Sequence, residues 1–268
     1  MSADPSEGDV TVTPSLIVLG SGDALASQSH DHTALVVRAQ GCFLLIDCPG
    51  SASLKLRRYG LDPADIDAVI LTHGHADHIY GLPALLQYLD LTGRERPLAV
   101  YGNEDALARA RAITSALDVG AGFASYRAIS AGCSGEAGPF LDTERYAVRA
   151  FSARHSLPTI ALRVVLKQSN ALLAYSGDGE PCPEVIEAGR GVDLLVHEAA
   201  VLDPEPGHST PAQAAEVAAA AGAARLLLVH LPQALILRPG AALAEAEKIF
   251  GGEVRLATDG DVIALRAR

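Results

Sequence analysis

The stretch VILTHGHADHIYGLP, residues 69–83, decides how the rest of the chain is read. An apolar run, Val69 to Leu71, gives way to His73, His75, Asp77 and His78, four side chains of metal-ligand type within six positions. A lone histidine after a strand is ordinarily a core or capping group. Four such residues at i, i+2, i+4 and i+5, in a chain with nine histidines, are improbable by chance. Imidazole and carboxylate are the donors that borderline divalent ions prefer. In an extended or looped segment His73 and His75 project to one side by the two-residue period, while the adjacent Asp77 and His78 diverge toward a second position. One short loop can therefore serve two ions. Gly74 is expected to let the backbone turn tightly, and Ala76 to leave room around the metals.

Working outward, short apolar runs mark strands on both sides of the motif. SLIVLG, TALVVRA and CFLLID precede it at spacings that suit adjacent strands. SLKLRRYGL reads as a short helix ended by Gly60, DAVILTH as a buried strand, LPALLQYLDLTG as a helix stopped at Gly93, and PLAVYG as a strand. EDALARARAITSALDVG is helical by period, and RYAVRAFSARH, IALRVVLK and ALLAYSGD give three more strands. In STPAQAAEVAAAAGAARLLLVHL, Thr210 suits an N-cap, Pro211 the first helical position and Gln213 a capping box, with Gly222 ending the helix. A last helix, GAALAEAEKIFGG, and the strands EVRLA and DVIALRA follow. The pattern predicts an α/β fold of two sheets with helices outside: a flexible polar segment over residues 1–14, then a single domain over 15–268.

Composition narrows the setting. With 49% hydrophobic and 20% charged residues, the 268-residue chain can bury a sizeable core. No apolar run approaches the roughly 18 residues of a membrane span, and the acidic opening lacks a secretory pattern, so a cytoplasmic protein with no membrane partner is expected. The net charge of -11 argues against a broad phosphate-binding surface. Cys42 and Cys48 bracket one apolar run while Cys133 and Cys182 stand alone, which makes neither a zinc knuckle nor a disulfide framework.

THGHADH resembles the signature of the metallo-β-lactamase superfamily, and the resemblance implies its four-layer αββα sandwich with metals at the sheet ends. The family's later ligands are a histidine, a bridging aspartate and a final histidine. His155, Asp178 and His230 occupy those places in order, each directly after an expected strand. By resemblance, one metal is held by His73, His75, His155 and Asp178, and the other by Asp77, His78, His230 and the same Asp178. The family also implies two divalent cations, zinc by default from the histidine-rich shell, with manganese or iron as alternatives.

IVLGSGDALASQSHDHTALVV, LLIDCPG, YSGDG, LLVHEAA and HSTPAQAAEVA are further similar to segments of the ribonuclease Z-like branch. On that likeness Glu198 and His208 form an orienting pair, with His208 aimed at the scissile group and Asp77 able to accept a proton. His197 alternates with Glu198 on a strand and reads as structural. Asp47 reads as a group that fixes the metal loop by hydrogen bonds. His30 and His32 read as a solvated loop.

The branch's long RNA-clamping arm has no room here, because only 23 residues separate His155 from Asp178. The expectation is therefore a dinuclear phosphodiesterase on a small or cyclic phosphodiester, with a small-molecule substrate and no long nucleic acid as partner. Alternatives are hydrolysis of a carboxylic ester, lactone, thioester or sulfate ester by the same centre, or a metal-bound accessory or carrier protein without turnover. Dimers are frequent in the family, so the resemblance carries a homodimer as an expectation.

Overall fold

The computed structural model describes residues 12–120, 122–130 and 138–267. The segment expected to be flexible lies outside the described residues as far as residue 11, as does Cys133. The other three cysteines are free and buried.

The chain first builds β1 (Ser15–Gly20), β2 (Ala34–Ala39), β3 (Cys42–Ile46), α1 (Ala52–Arg58), β4 (Ala68–Leu71), α2 (Ala76–Ile79), α3 (Leu82–Leu91), β5 (Leu98–Gly102), α4 (Glu104–Ala116) and β6 (Ala124–Ala128). It continues through β7 (Leu141–Asp142), β8 (Tyr146–Ala153), β9 (Thr159–Leu166), β10 (Ala171–Tyr175), α5 (Pro183–Ala188), β11 (Leu194–Glu198), α6 (Pro211–Ala221), β12 (Arg225–Val229), α7 (Gln233–Leu237), α8 (Gly240–Phe250), β13 (Glu253–Leu256) and β14 (Val262–Ala264). The strands form two seven-stranded sheets, β14-β1-β2-β3-β4-β5-β6 and β13-β12-β11-β10-β9-β8-β7. Each sheet joins an antiparallel hairpin region to a parallel region. β14 crosses back to pair with β1.

Alternation along the strands fills three apolar layers. Leu16, Val18, Leu35, Leu44 and Ile70 meet Val148, Leu162, Leu173, Val196 and Leu227 between the sheets. The opposite faces pack under helices: Phe43, Leu45 and Val69 against Leu56, Leu85 and Leu107 on one side, and Leu195, Leu226 and Leu228 against Val185, Ala214 and Ala246 on the other. Strands buried on both faces read as continuous apolar runs, which is why they are legible in sequence. The result is the αββα sandwich. At α6 the Thr210 side chain accepts from Gln213 N and the Gln213 side chain accepts from Thr210 N, a complete capping box, and Gly222 ends the helix with φ 64°.

The sequence did not reveal α2, α5, α7, β6 or β7. The helices among these are four to six residues long, too short for a period, and β6 and β7 are half-exposed strands of mixed polarity. Among the described residues, no helix is long and apolar enough to cross a membrane.

Candidate metal centre

The two parallel regions bring their strand ends to one place. β4 stops at Leu71, and the buried Thr72 and His73 follow it into a loop. His75 is the N-cap of α2, so Asp77 and His78 lie on a one-turn helix rather than in an extended segment. They do not fully diverge: His78 Nε2 is 3.4 Å from Asp77 Oδ2. A methyl group at Gly74 would meet the Arg109 side chain, which would have to shift to admit it.

Donor atoms from both halves converge. His75 Nδ1 lies 3.0 Å from His73 Nε2 and 3.1 Å from His155 Nε2. Asp178 Oδ2 lies 3.2 Å from His230 Nε2, 3.3 Å from His78 Nε2 and 3.8 Å from His73 Nε2. Three overlapping groups result: His73 with His75 and His155, His73 with His78 and Asp178, and Asp77 with His78 and His230. All seven sequence-expected ligands are thus brought together, with His73 and His78 shared between neighbouring groups.

Supporting hydrogen bonds orient the rings. Thr72 Oγ1 donates to Asp47, at 2.8 Å from Oδ2, and so is left to accept from His73 Nδ1 at 3.1 Å. His78 Nδ1 donates to Asp47 Oδ2 at 2.8 Å, and His155 Nδ1 donates to the Gly207 carbonyl at 2.6 Å. With Nδ1 committed in each, Nε2 of His73, His78 and His155 faces the cluster and is the nitrogen left to hold a metal. Asp47 has φ 59° and His230 φ 56°, conformations that non-glycine residues rarely adopt and that tend to collect at functional sites.

The charges are arranged around the buried Asp178. Against burial, which raises it, the His230 and His78 rings hold its carboxyl well below the usual range. Burial, reinforced by repulsion from His78, pushes His73 down to about 2. His78 goes the other way: despite burial, the Asp178 and Asp47 carboxylates raise it well above 6.5. Burial raises the Asp77 carboxyl, but the His78 ring outweighs it and holds the group below the carboxylate range.

Beside the cluster, His208 stacks on His230 with centroids 6.0 Å apart and meets the His155 ring at 4.9 Å. Its Nδ1 donates to Glu198 Oε1 at 2.9 Å. Glu198, fully buried, also accepts from Gly179 N at 3.0 Å, Ser209 N at 3.2 Å and Ala200 N at 2.8 Å. The Glu198 hydrogen bond raises the His208 pKa above 6.5, against a burial effect that lowers it. His197 is buried on the same strand, where its Nδ1 donates to the Glu198 carbonyl at 2.8 Å, and it stays out of the cluster. His30 and His32 are better fixed than a solvated loop requires: His30 is buried with Nδ1 2.9 Å from Ser29 Oγ, and His32 Nε2 donates to the Ala24 carbonyl at 3.2 Å.

The residues fit a metal centre. Asp178 Oδ1 and His78 Nε2 are buried in the cluster without a hydrogen-bond donor or acceptor of their own, and a buried polar atom left so is costly unless a cation completes it. A sandwich of two mixed sheets with a histidine-carboxylate cluster at the ends of its parallel strands defines a class of metal-binding hydrolases. The family model described as a beta-lactamase superfamily domain matches residues 44–231, and the chain belongs to that family as one of its hydrolases. Ribonuclease Z of Methanopyrus kandleri is 31% identical over 92% of this chain and 96% of its own length. Among solved structures, human tRNase Z, short form, aligns with a TM-score of 0.76 at 26% identity, covering 94% of this chain and 99% of its own. The metallo-beta-lactamase fold protein YhfI from Bacillus subtilis aligns with a TM-score of 0.80 at 24% identity, covering 94% and 99%.

These relatives correct one expectation. The exclusion of a long nucleic acid in favour of a small-molecule substrate fails, because chains that match over nine-tenths of this one are named as ribonucleases. Net charge is a sum over the whole surface and does not describe the field at one site, and the short His155–Asp178 span concerns one segment only.

Proposed function

We propose that the protein is a phosphodiesterase of the ribonuclease Z kind, cleaving RNA phosphodiesters with two zinc ions. One ion would be held by His73, His75, His155 and Asp178, the other by Asp77, His78, His230 and Asp178. The observation that carries the reading is Asp178: a buried carboxylate with Oδ2 3.2 Å and 3.3 Å from His230 and His78, ligands of the second ion, 3.8 Å from His73, a ligand of the first, and with Oδ1 unpartnered, is placed to be shared. Two such ions lower the pKa of a water and offset charge on the phosphoryl oxygens.

The chain's own residues do the rest. His73, His78 and His155 present Nε2 because Thr72, Asp47 and Gly207 engage their other nitrogens. Asp77, at the rim of the cluster, accepts the proton of the attacking water. His208, with Nδ1 tied to Glu198, offers Nε2 to the substrate and protonates the leaving oxygen; its raised pKa keeps that proton available near neutrality. Glu198 fixes the ring and favours its charged form.

The finer expectation of a small or cyclic phosphodiester rests on the hairpin of β9 and β10, which fills the span between His155 and Asp178. One assay separates the readings. Zinc-loaded protein is given an RNA carrying a 3′ extension, bis(p-nitrophenyl) phosphate, a lactone and an aryl sulfate, with and without chelator. Chelator-sensitive cleavage of the RNA, with weaker action on the small diester, is expected. A preference for the lactone or sulfate would overturn phosphodiester chemistry, and action on the small diester alone would overturn the RNA.

A further inference from the structure

A cleft of about 360 Å³ lies between α2 and α4. Of the seven expected ligands His75 alone lines it, which places the cleft beside the cluster. Ile79, Ala112 and Ile113 give it apolar walls, and its remaining side chains of note are Tyr80 and Arg109, both flat π systems.

Both flat groups have a side-chain partner. Arg109 Nε donates to Asp105 Oδ2 at 2.8 Å, one turn earlier on α4, and its stem lies over Gly74, where any side chain would collide with it. Tyr80 is 46% exposed, yet its hydroxyl is 3.3 Å from His32 Nδ1 and its ring meets that of His32 edge-on at 5.6 Å. His32 is in turn anchored to the Ala24 carbonyl. The loop between β1 and β2 therefore braces one side of the cleft.

The lining selects its occupant. A phosphate would need more than one cation, and the single guanidinium is already paired with Asp105. A sugar would need several donors and acceptors, which the apolar walls do not offer. A heteroaromatic base has apolar faces and stacks on aromatic and guanidinium planes alike. Building on the phosphodiesterase reading, we propose that this cleft is a nucleobase subsite that receives the base of the nucleotide next to the scissile phosphodiester. Tyr80 and Arg109 are its stacking groups, and they act on substrate choice rather than on bond cleavage.

The test is equilibrium binding, which needs no turnover. The zinc-loaded protein is titrated calorimetrically with adenosine 5′-monophosphate and with ribose 5-phosphate, which share sugar and phosphate and differ in the base. The nucleotide should bind about tenfold tighter or more, the scale of one stacked base. Ala112→Trp fills the cleft from an exposed position and should abolish the preference, as should Tyr80→Ala, while Tyr80→Phe should keep it. Circular dichroism checks that each variant is folded. Equal affinities in the unmodified protein, or a preference that survives Ala112→Trp, would overturn the subsite. If light scattering finds that Ala112→Trp converts a dimer to a monomer, the cleft is an interface between copies and the proposal fails. A base preference without any phosphodiester cleavage would retain the subsite and sink the phosphodiesterase reading, so the two failures are distinct.

Discussion

The two halves of the metal cluster arrive by different routes. The first supplies His73, His75, Asp77 and His78 from a single loop after β4, so local chain geometry nearly suffices to assemble it. The second supplies His155, Asp178 and His230, with Glu198 and His208 beside them, from the ends of β8, β10, β11 and β12 and the loop that leads into α6. There the register does the work. Leu173 pairs with Leu194, and Leu194 with Arg225, so Asp178, Glu198 and His230 lie four or five residues past aligned positions and reach one sheet edge together. A compact motif survives small shifts of its surroundings. A distributed one is only as good as its sheet, which is why functional groups gather at the carboxyl ends of parallel strands.

The sharpest way to break the comparison is Asp178→Ala, which removes the carboxylate that links the halves. We expect kcat/KM for the phosphodiester to fall about 1,000-fold or more and the bound zinc to drop with it, checked by elemental analysis of the purified variant. Retention of both metals and of activity would mean that the halves do not share a ligand.

The next effect separates chemistry from metal binding. His208→Ala should lose about 100-fold or more in kcat while keeping its zinc. Because the Glu198 hydrogen bond raises the His208 pKa, the imidazolium persists above pH 6.5, and kcat should decline only as pH rises through the raised value. The stability contributed by this pair follows the same sign: it is present in full below pH 6.5 and lost as the pH climbs through the folded pKa. Glu198→Gln should move the alkaline limb of the kcat profile to lower pH, and an unmoved limb would remove Glu198 from the account.

Asp47→Ala tests the first half through its support. Freed from its hydrogen bond at 2.8 Å, His78 should hold metal about 10- to 100-fold more weakly in a competition titration with a chromophoric chelator. Smallest is Thr210→Ala, which removes the cap that starts α6 just after His208 and Ser209. It should cost about 1 kcal/mol in urea unfolding and leave zinc affinity unchanged.

The same contrast explains what could be read without coordinates. THGHADH exposed the first half because its ligands are neighbours in sequence. His155, Asp178 and His230 were legible only as strand-end residues lying in the order that a known family uses. Most strands were visible because both of their faces are buried, whereas β6 carries Arg127 and Tyr126 on a half-exposed edge and gives no clean pattern. The one-turn helix that carries Asp77 and His78 is too short to announce itself. Arg109 over Gly74 and His32 against Tyr80 are contacts between distant segments, and no spacing encodes them. The positive φ values of Asp47 and His230 are likewise encoded in no spacing.

The central claim is that both halves bind metal around one shared carboxylate. It is tested most directly by counting zinc per chain in the unmodified protein, by inductively coupled plasma mass spectrometry after saturation and exhaustive dialysis. Two zinc ions per chain are predicted. Saturation at one ion, or at none, would contradict the account.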